Sequence, residues 1–171
     1  MAQTRSPQAT QPAVKRPVAV VTDSATALTS DMAAANGLFV AAMEVTIGDQ
    51  TYVDGPVTPG GSLSRFYDLL RSADRLPTTS APKPDRWLTC FRQAAARGES
   101  ILCITIAAHL SASYDSARVA TELAARELPG TPIRVINSNV AAGSQALVVL
   151  EAARRAAAGE NLDEVEAAAV R

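Results

Sequence analysis

Two cysteines in 171 residues leave no disulfide framework to read. A chain of this size buries roughly 68 to 70% of its unfolded surface, so it needs neither crosslinks nor metal to hold a core. Cys90 and Cys103 stand in apolar surroundings, Leu88-Thr89-Cys90-Phe91 and Ile101-Leu102-Cys103-Ile104, and are expected as buried, inert thiols of a reducing compartment. Histidine occurs once, at His109, and no cluster of metal-ligand types accompanies it, so a metal enzyme is not expected. No Gly-x-Gly-x-x-Gly or Walker-type loop follows an apolar run, which argues against nucleotide chemistry. The longest apolar stretch, Ile101 to Ala108, is broken by Thr105 and falls far short of the roughly 18 residues of a membrane span. The 14 Arg and 2 Lys are balanced by 17 acids, leaving a net charge of -1 and no sequence-wide field for nucleic acid. Residues 1–17 carry Arg5, Lys15 and Arg16 with Pro7, Pro12 and Pro17 but no apolar run of the secretory kind, and read as a disordered tail. The expectation is a soluble, cytoplasmic domain.

What is present is an alternation of short apolar runs and helical patterns. Val18 to Val21 is a β-branched run ending at Thr22-Asp23-Ser24, as a buried strand does on entering a turn. A short helix is expected from Ser30, as its N-cap, to Asn36-Gly37. Extended pieces follow at Phe39 to Ile47 and Thr51 to Val53, around a hairpin turn at Gly48-Asp49-Gln50, and Pro56 to Gly61 forms a loop. From Ser62 the spacing of Leu63, Phe66, Leu69 and Leu70 is helical, and that helix ends before Pro77. Pro84 at the start and Gly98 past the end bracket a helix over Asp85 to Arg97. Ser100 to Thr105 is a second buried strand. Between Ser111 and Leu128, Asp115, Arg118, Glu122 and Arg126 share one helical face, so Val119 and Leu123 opposite are expected to pack. Ile133 to Ile136 is another strand, Ala146 to Ala157 a helix stopped by Gly159, and Asn161 with Glu164 a capping-box start for one more. Strands apolar throughout and separated by helices predict an α/β fold, a largely parallel sheet with helices on both faces. The last helix runs to Val170-Arg171 without a stop signal, so the chain reads as cut while the fold continues.

Hydroxyls gather where strands end: Thr22, Ser24 and Thr26, then Ser111 and Ser113, then Ser138. In an open parallel sheet ligands bind beyond the carboxyl ends of the strands, where helix N-termini present free N–H groups to an anion. Thr78-Thr79-Ser80 adds a second cluster, expected on an irregular loop fixed by Pro77 and Pro82. The same residues serve as ordinary helix caps in many folds, so composition alone leaves both readings open. Ser80-Ala81-Pro82-Lys83 spells Ser-x-x-Lys, but Pro82 and Pro84 deny it the continuous helix that pairing requires. His109 as a base for a serine nucleophile has no acidic neighbour in sequence.

The order of motifs narrows this. Val20-Val21-Thr22-Asp23-Ser24-Ala25-Thr26, Leu76-Pro77-Thr78-Thr79-Ser80-Ala81-Pro82, Ile104-Thr105-Ile106-Ala107-Ala108-His109-Leu110-Ser111-Ala112-Ser113-Tyr114 and Val135-Ile136-Asn137-Ser138 together resemble the DegV family of bacterial fatty acid-binding proteins. The resemblance runs from Val18 to the end of the chain and covers the first half to two-thirds of a usual member. It implies that residues 18–171 are the first domain of a two-domain protein, enclosing a long-chain fatty acid between the domains. It further implies a carrier rather than a catalyst, with no cofactor. The acid would be presented to a kinase subunit related to dihydroxyacetone kinases, which makes the acyl phosphate, with transient membrane contact. The carboxylate contacts carried over are Thr79 and Ser111; Asp23, Ser24, Thr78, Ser80, His109, Ser113 and Ser138 are expected nearby. The family pattern has Ser-Ser where this chain has Ala107-Ala108, Gly in place of Ala112 and Asp in place of Asn137. Two rivals remain at this point: a serine-dependent acyl hydrolase or transferase, and a truncated paralogue that binds nothing.

Overall fold

The computed structural model of the chain describes residues 15–54 and 63–170. The disordered tail therefore falls, except for its last three residues, outside the described residues, as does the Pro56 to Gly61 loop. Strand β1 (Arg16–Asp23) starts two residues earlier than its apolar run. Arg16 donates its backbone N–H to the Arg97 carbonyl at 2.9 Å, and the Pro17 carbonyl accepts from Ser100 Oγ at 2.7 Å. These bonds place Arg16 and Pro17 in the sheet instead of the tail.

After a 3-10 turn at Ser24–Thr26 come α1 (Ser30–Ala35) and β2 (Phe39–Ala41). Then follow β3 (Glu44–Ile47), β4 (Gln50–Val53), α2 (Leu63–Ser72), β5 (Thr78–Ser80) and α3 (Pro84–Ala95). The chain continues through β6 (Gly98–Thr105), α4 (Ser113–Glu127), β7 (Ile133–Asn137), α5 (Ala142–Ala157) and α6 (Leu162–Ala169). The main sheet has the order β2-β1-β6-β7, every pair parallel. A second, antiparallel sheet of order β4-β3-β5 stands beside it. The extended stretch expected from Phe39 to Ile47 is thus two strands in two sheets. Thr78–Ser80, expected as irregular loop, is a strand whose Thr79 faces Val45 in register.

Alternation along β1 and β6 explains why both strands are apolar throughout. Ala19, Val21, Ile101 and Cys103 pack one way against Trp87 and Phe91 of α3 and Ala117, Ala120 and Ala124 of α4. Val18, Val20, Leu102 and Ile104 pack the other way against Val149, Ala152 and Ala153 of α5 and Val165 of α6. Helices therefore cover both faces, as period-2 burial on two sides demands. Both thiols are free and buried, and burial pushes the Cys90 thiol up to about 11 and that of Cys103 well above its ordinary value.

Three helix details differ from the sequence reading. The cap of α1 is Thr29, whose Oγ1 accepts from the Met32 N–H at 3.2 Å. Helix α5 begins four residues before Ala146 and so takes in Gln145. On α4 the packed face is Ala117, Ala120 and Ala124, while Val119 and Leu123 remain 47% and 42% exposed. Small residues let α4 lie close to the sheet, and the larger pair is left outside that contact. Gly98 also serves differently: it lies in β6, and a Cβ there would come within 2.7 Å of both the backbone N and Cβ of Ala19. The Asn161–Glu164 capping box forms as expected, and Arg134 of β7 ties α6 down through Asp163 and Glu166.

Candidate functional site

The carboxyl ends of β1, β6 and β7 lie side by side, with Thr22 opposite Ile104 and Thr105 opposite Asn137. At the end of β1 the Asp23 carboxylate is fully buried. Its Oδ1 accepts from the Ala25 N–H at 3.2 Å and from Gln145 Nε2 at 2.9 Å, and its Oδ2 accepts from the Ile106 N–H at 2.9 Å. Burial holds Asp23 above its ordinary 3.8, while the bonds from Ile106, Gln145, Ala25 and Ser113 pull the other way.

The loop from β6 to α4 hangs on three successive amides. Ile106 N–H goes to Asp23, Ala107 N–H to the Val140 carbonyl at 2.9 Å, and Ala108 N–H to Asn137 Oδ1 at 3.1 Å. Three partners from β1, β7 and the segment after it thus fix the loop that carries His109 and Ser111. Asn137 also accepts from the Asn139 N–H at 3.0 Å, so an amide oxygen here takes two backbone donors without a charge. Ala112, at φ -74° and ψ 8°, lies in a conformation open to any residue, so its methyl group brings no backbone strain. Three non-glycine residues among the described ones have left-handed backbone: Ala27 after the Ser24–Thr26 turn, Asn139 after β7, and Ala142 at the start of α5. Backbone strain of this kind collects at functional sites.

Ser111 is half-buried just ahead of α4; its Oγ accepts from the Ser113 N–H at 3.2 Å and lies 3.1 Å from Ser113 Oγ. Thr79, with Thr78 and Ser80, is exposed on β5. The chain leaving β5 is tied to the first turn of α4 by Ser116 Oγ, which donates to the Pro82 carbonyl at 2.5 Å. Arg86 to Glu44, at 3.1 Å, fastens α3 to β3, the partner strand of β5. These ties connect the segment that carries Thr79 to the helix that follows Ser111.

The remaining predicted residues divide by what their side chains already do. Ser24 Oγ donates to Asp54 Oδ2 at 2.7 Å and accepts from the Met43 N–H at 3.0 Å, so it links β1 to the second sheet. Ser113 is fully buried. Ser138 Oγ donates to the Val140 carbonyl at 3.1 Å and closes its own turn. Thr22 and Thr26 are buried and bonded to main-chain carbonyls. His109 is exposed, and the Ser111 hydroxyl is bonded to Ser113 rather than to it. Among the described residues no group of His, Cys, Asp or Glu is placed to hold a metal, and no helix is long and apolar enough to cross a membrane.

One residue of the network is invisible in the sequence. Gln145, fully buried in the first turn of α5, reads in one dimension as a solvent-facing helix former. Only its distance of 122 residues from Asp23, closed by the fold, reveals it.

Residues 17–171 match the family described as "Uncharacterised protein, DegV family". A DegV domain-containing protein of Streptomyces coelicolor is 32% identical over 157 residues, 91% of this chain and 53% of that protein. The chain spans about half the length of the curated relatives it matches. A DegV-family protein of Ruminococcus gnavus, solved with vaccenic acid, superposes with a TM-score of 0.78 at 25% identity, over 91% of this chain and 54% of that one. The Streptococcus pneumoniae Fatty Acid Kinase B3 protein, loaded with linoleic acid, shares the fold with a TM-score of 0.73 at 22% identity, over 89% of this chain and 52% of that one. With its motifs, its sheet order and nearly its whole length accounted for, the chain belongs to the DegV family.

Proposed function

We propose that this chain forms the carboxylate-holding part of a fatty acid carrier, with Ser111 and Thr79 as the contacts. The observation that carries the reading is the pinned β6–α4 loop, which sets the Ser111 hydroxyl before the positive end of a 15-residue helix. Hydrogen bonds to a charged group are worth roughly 1.5 to 3 kcal/mol each, enough to orient a carboxylate. The acyl chain supplies the bulk of the affinity, at about 0.8 kcal/mol per buried methylene. The fatty acid in the Ruminococcus relative supports the ligand class.

A carrier fits better than a hydrolase because the Ser111 hydroxyl is engaged with Ser113, and no His, Asp or Glu among the described residues is hydrogen-bonded to it. Residues 18–171 act in this reading as the first of two domains, the acid being enclosed between them. The carrier works in the cytoplasm, picks its ligand from the membrane surface and hands the carboxylate to a kinase subunit related to dihydroxyacetone kinases. The description of the pneumococcal relative supports the kinase step. Mass spectrometry of lipid co-purifying with the full-length protein tests the core of the proposal. A carrier arrives with fatty acid at near one to one; an empty protein that steadily hydrolyses a model acyl ester, and stops doing so as Ser111→Ala, would establish the hydrolase instead.

A further inference from the structure

Gln145 is the fully buried polar residue that holds both Thr22 and Asp23, through Nε2 at 3.3 and 2.9 Å. Its Oε1 is buried without a hydrogen-bond partner among the described residues. A buried acceptor left unpaired is unfavourable, and an apolar side chain of similar size would fill the space without it. The amide is therefore explained by what its N–H groups hold, not by its own packing.

What they hold is a single chain of contacts to the head-group loop. Gln145 donates to one Asp23 oxygen, the other oxygen takes the Ile106 N–H, and Ile106 opens the loop that ends at Ser111. We propose that Gln145 is a positioning residue for the carboxylate site, acting through Asp23 on the Ile106–Ser111 loop. This rests on Ser111 being a carboxylate contact. Helix α5 thereby sets the loop's geometry through the hydrogen bonds that Gln145 gives to Asp23 and Thr22. Without the amide, Asp23 is left buried with one donor fewer, and turns toward whichever other donor or solvent it can reach.

The test compares hexadecanoic acid with hexadecan-1-ol, which shares the chain and lacks the carboxylate, on the full-length protein. Gln145→Met should weaken binding of the acid about tenfold and leave the alcohol within twofold. A general loss of structure would weaken both alike. Ser111→Ala should show the same selectivity, and the double variant should lose little more than the worse single one, because both act on one contact. Hydrogen exchange at the Ile106 amide should speed up in Gln145→Met while β1 and β6 stay protected. Where the Met variant does not fold, Gln145→Leu, which also lacks the donor and brings no charge beside Asp23, is read the same way. Equal loss for acid and alcohol, or full additivity with Ser111→Ala, overturns the proposal. Selectivity in Ser111→Ala without any in the Gln145 variants overturns it alone and leaves the head-group reading standing; no selectivity in Ser111→Ala overturns both.

Discussion

Thr79 and Ser111 differ in how much of their bonding is still open. Ser111 already shares its oxygen with Ser113, whereas Thr79 is exposed on β5. Each is nonetheless expected to matter to the ligand more than to the fold. Thr79→Ala and Ser111→Ala should each weaken fatty acid binding by about tenfold to a hundredfold, the equivalent of one charge-assisted hydrogen bond, with thermal stability nearly unchanged. Unchanged calorimetric affinity together with a lowered melting temperature in both would make these hydroxyls plain structural caps. Asp23 behaves the opposite way, because its carboxylate is buried beneath the site. Its folded pKa lies above 3.8, so between those two values the native state holds more proton than the unfolded one. Stability from this group is therefore greatest at acid pH and falls as pH rises through the raised value. Melting curves from pH 4 to 7 should show the advantage of the natural protein over Asp23→Asn largest near pH 4 and shrinking upward; a gap that widens with pH would mean the burial of Asp23 is outweighed by its hydrogen bonds.

Helix α4 shows how an element can be correctly placed and yet face differently from its pattern. Asp115, Arg118, Glu122 and Arg126 do face outward, but the inner face is alanine and the larger Val119 and Leu123 fall between. Ala120→Leu should accordingly overpack the contact with the sheet and cost about 1 to 3 kcal/mol in urea unfolding, while Leu123→Ala costs less than about 1. The reverse order would restore the packing inferred from charge spacing alone. The same contrast separates what the residues disclose from what they do not. Strands β1 and β6 are legible because a strand covered on both faces is apolar along nearly its whole length, and β7 because Ile133, Val135 and Ile136 outweigh its one exposed arginine. The α6 capping box and the Pro84 start of α3 were legible because they are local chemistry. Strand β5 was not, since three exposed polar residues have no periodicity and become a strand only by pairing with β3. Gln145 was not, since a buried amide announces itself only through a partner distant in sequence.

At the scale of the whole molecule, large apolar side chains lie exposed on the β6–α4 loop and on α5. Leu110, beside Ser111, is 60% exposed, and Leu147, in the second turn of α5, is 71% exposed. In the two-domain reading proposed above, exposed apolar surface of this kind is one wall of a site whose opposite wall belongs to another part of the protein. Relatives of the chain are about twice as long as the part it matches, which supplies the length for such a wall. A chain of full family length should therefore bind a long-chain fatty acid far more tightly than residues 1–171. Leaving half of a long acyl chain in water forfeits on the order of 5 kcal/mol at about 0.8 kcal/mol per methylene, a loss of roughly a thousandfold or more in affinity. The shorter chain should also self-associate, because two open apolar faces can cover each other, and light scattering beside a fatty acid titration separates that effect from true binding. The head-group contribution, by contrast, should survive in the short chain: Ser111→Ala should still reduce whatever residual affinity the carboxylate provides. Equal affinity in a monomeric short chain would place the entire ligand site within these residues and overturn the two-domain reading.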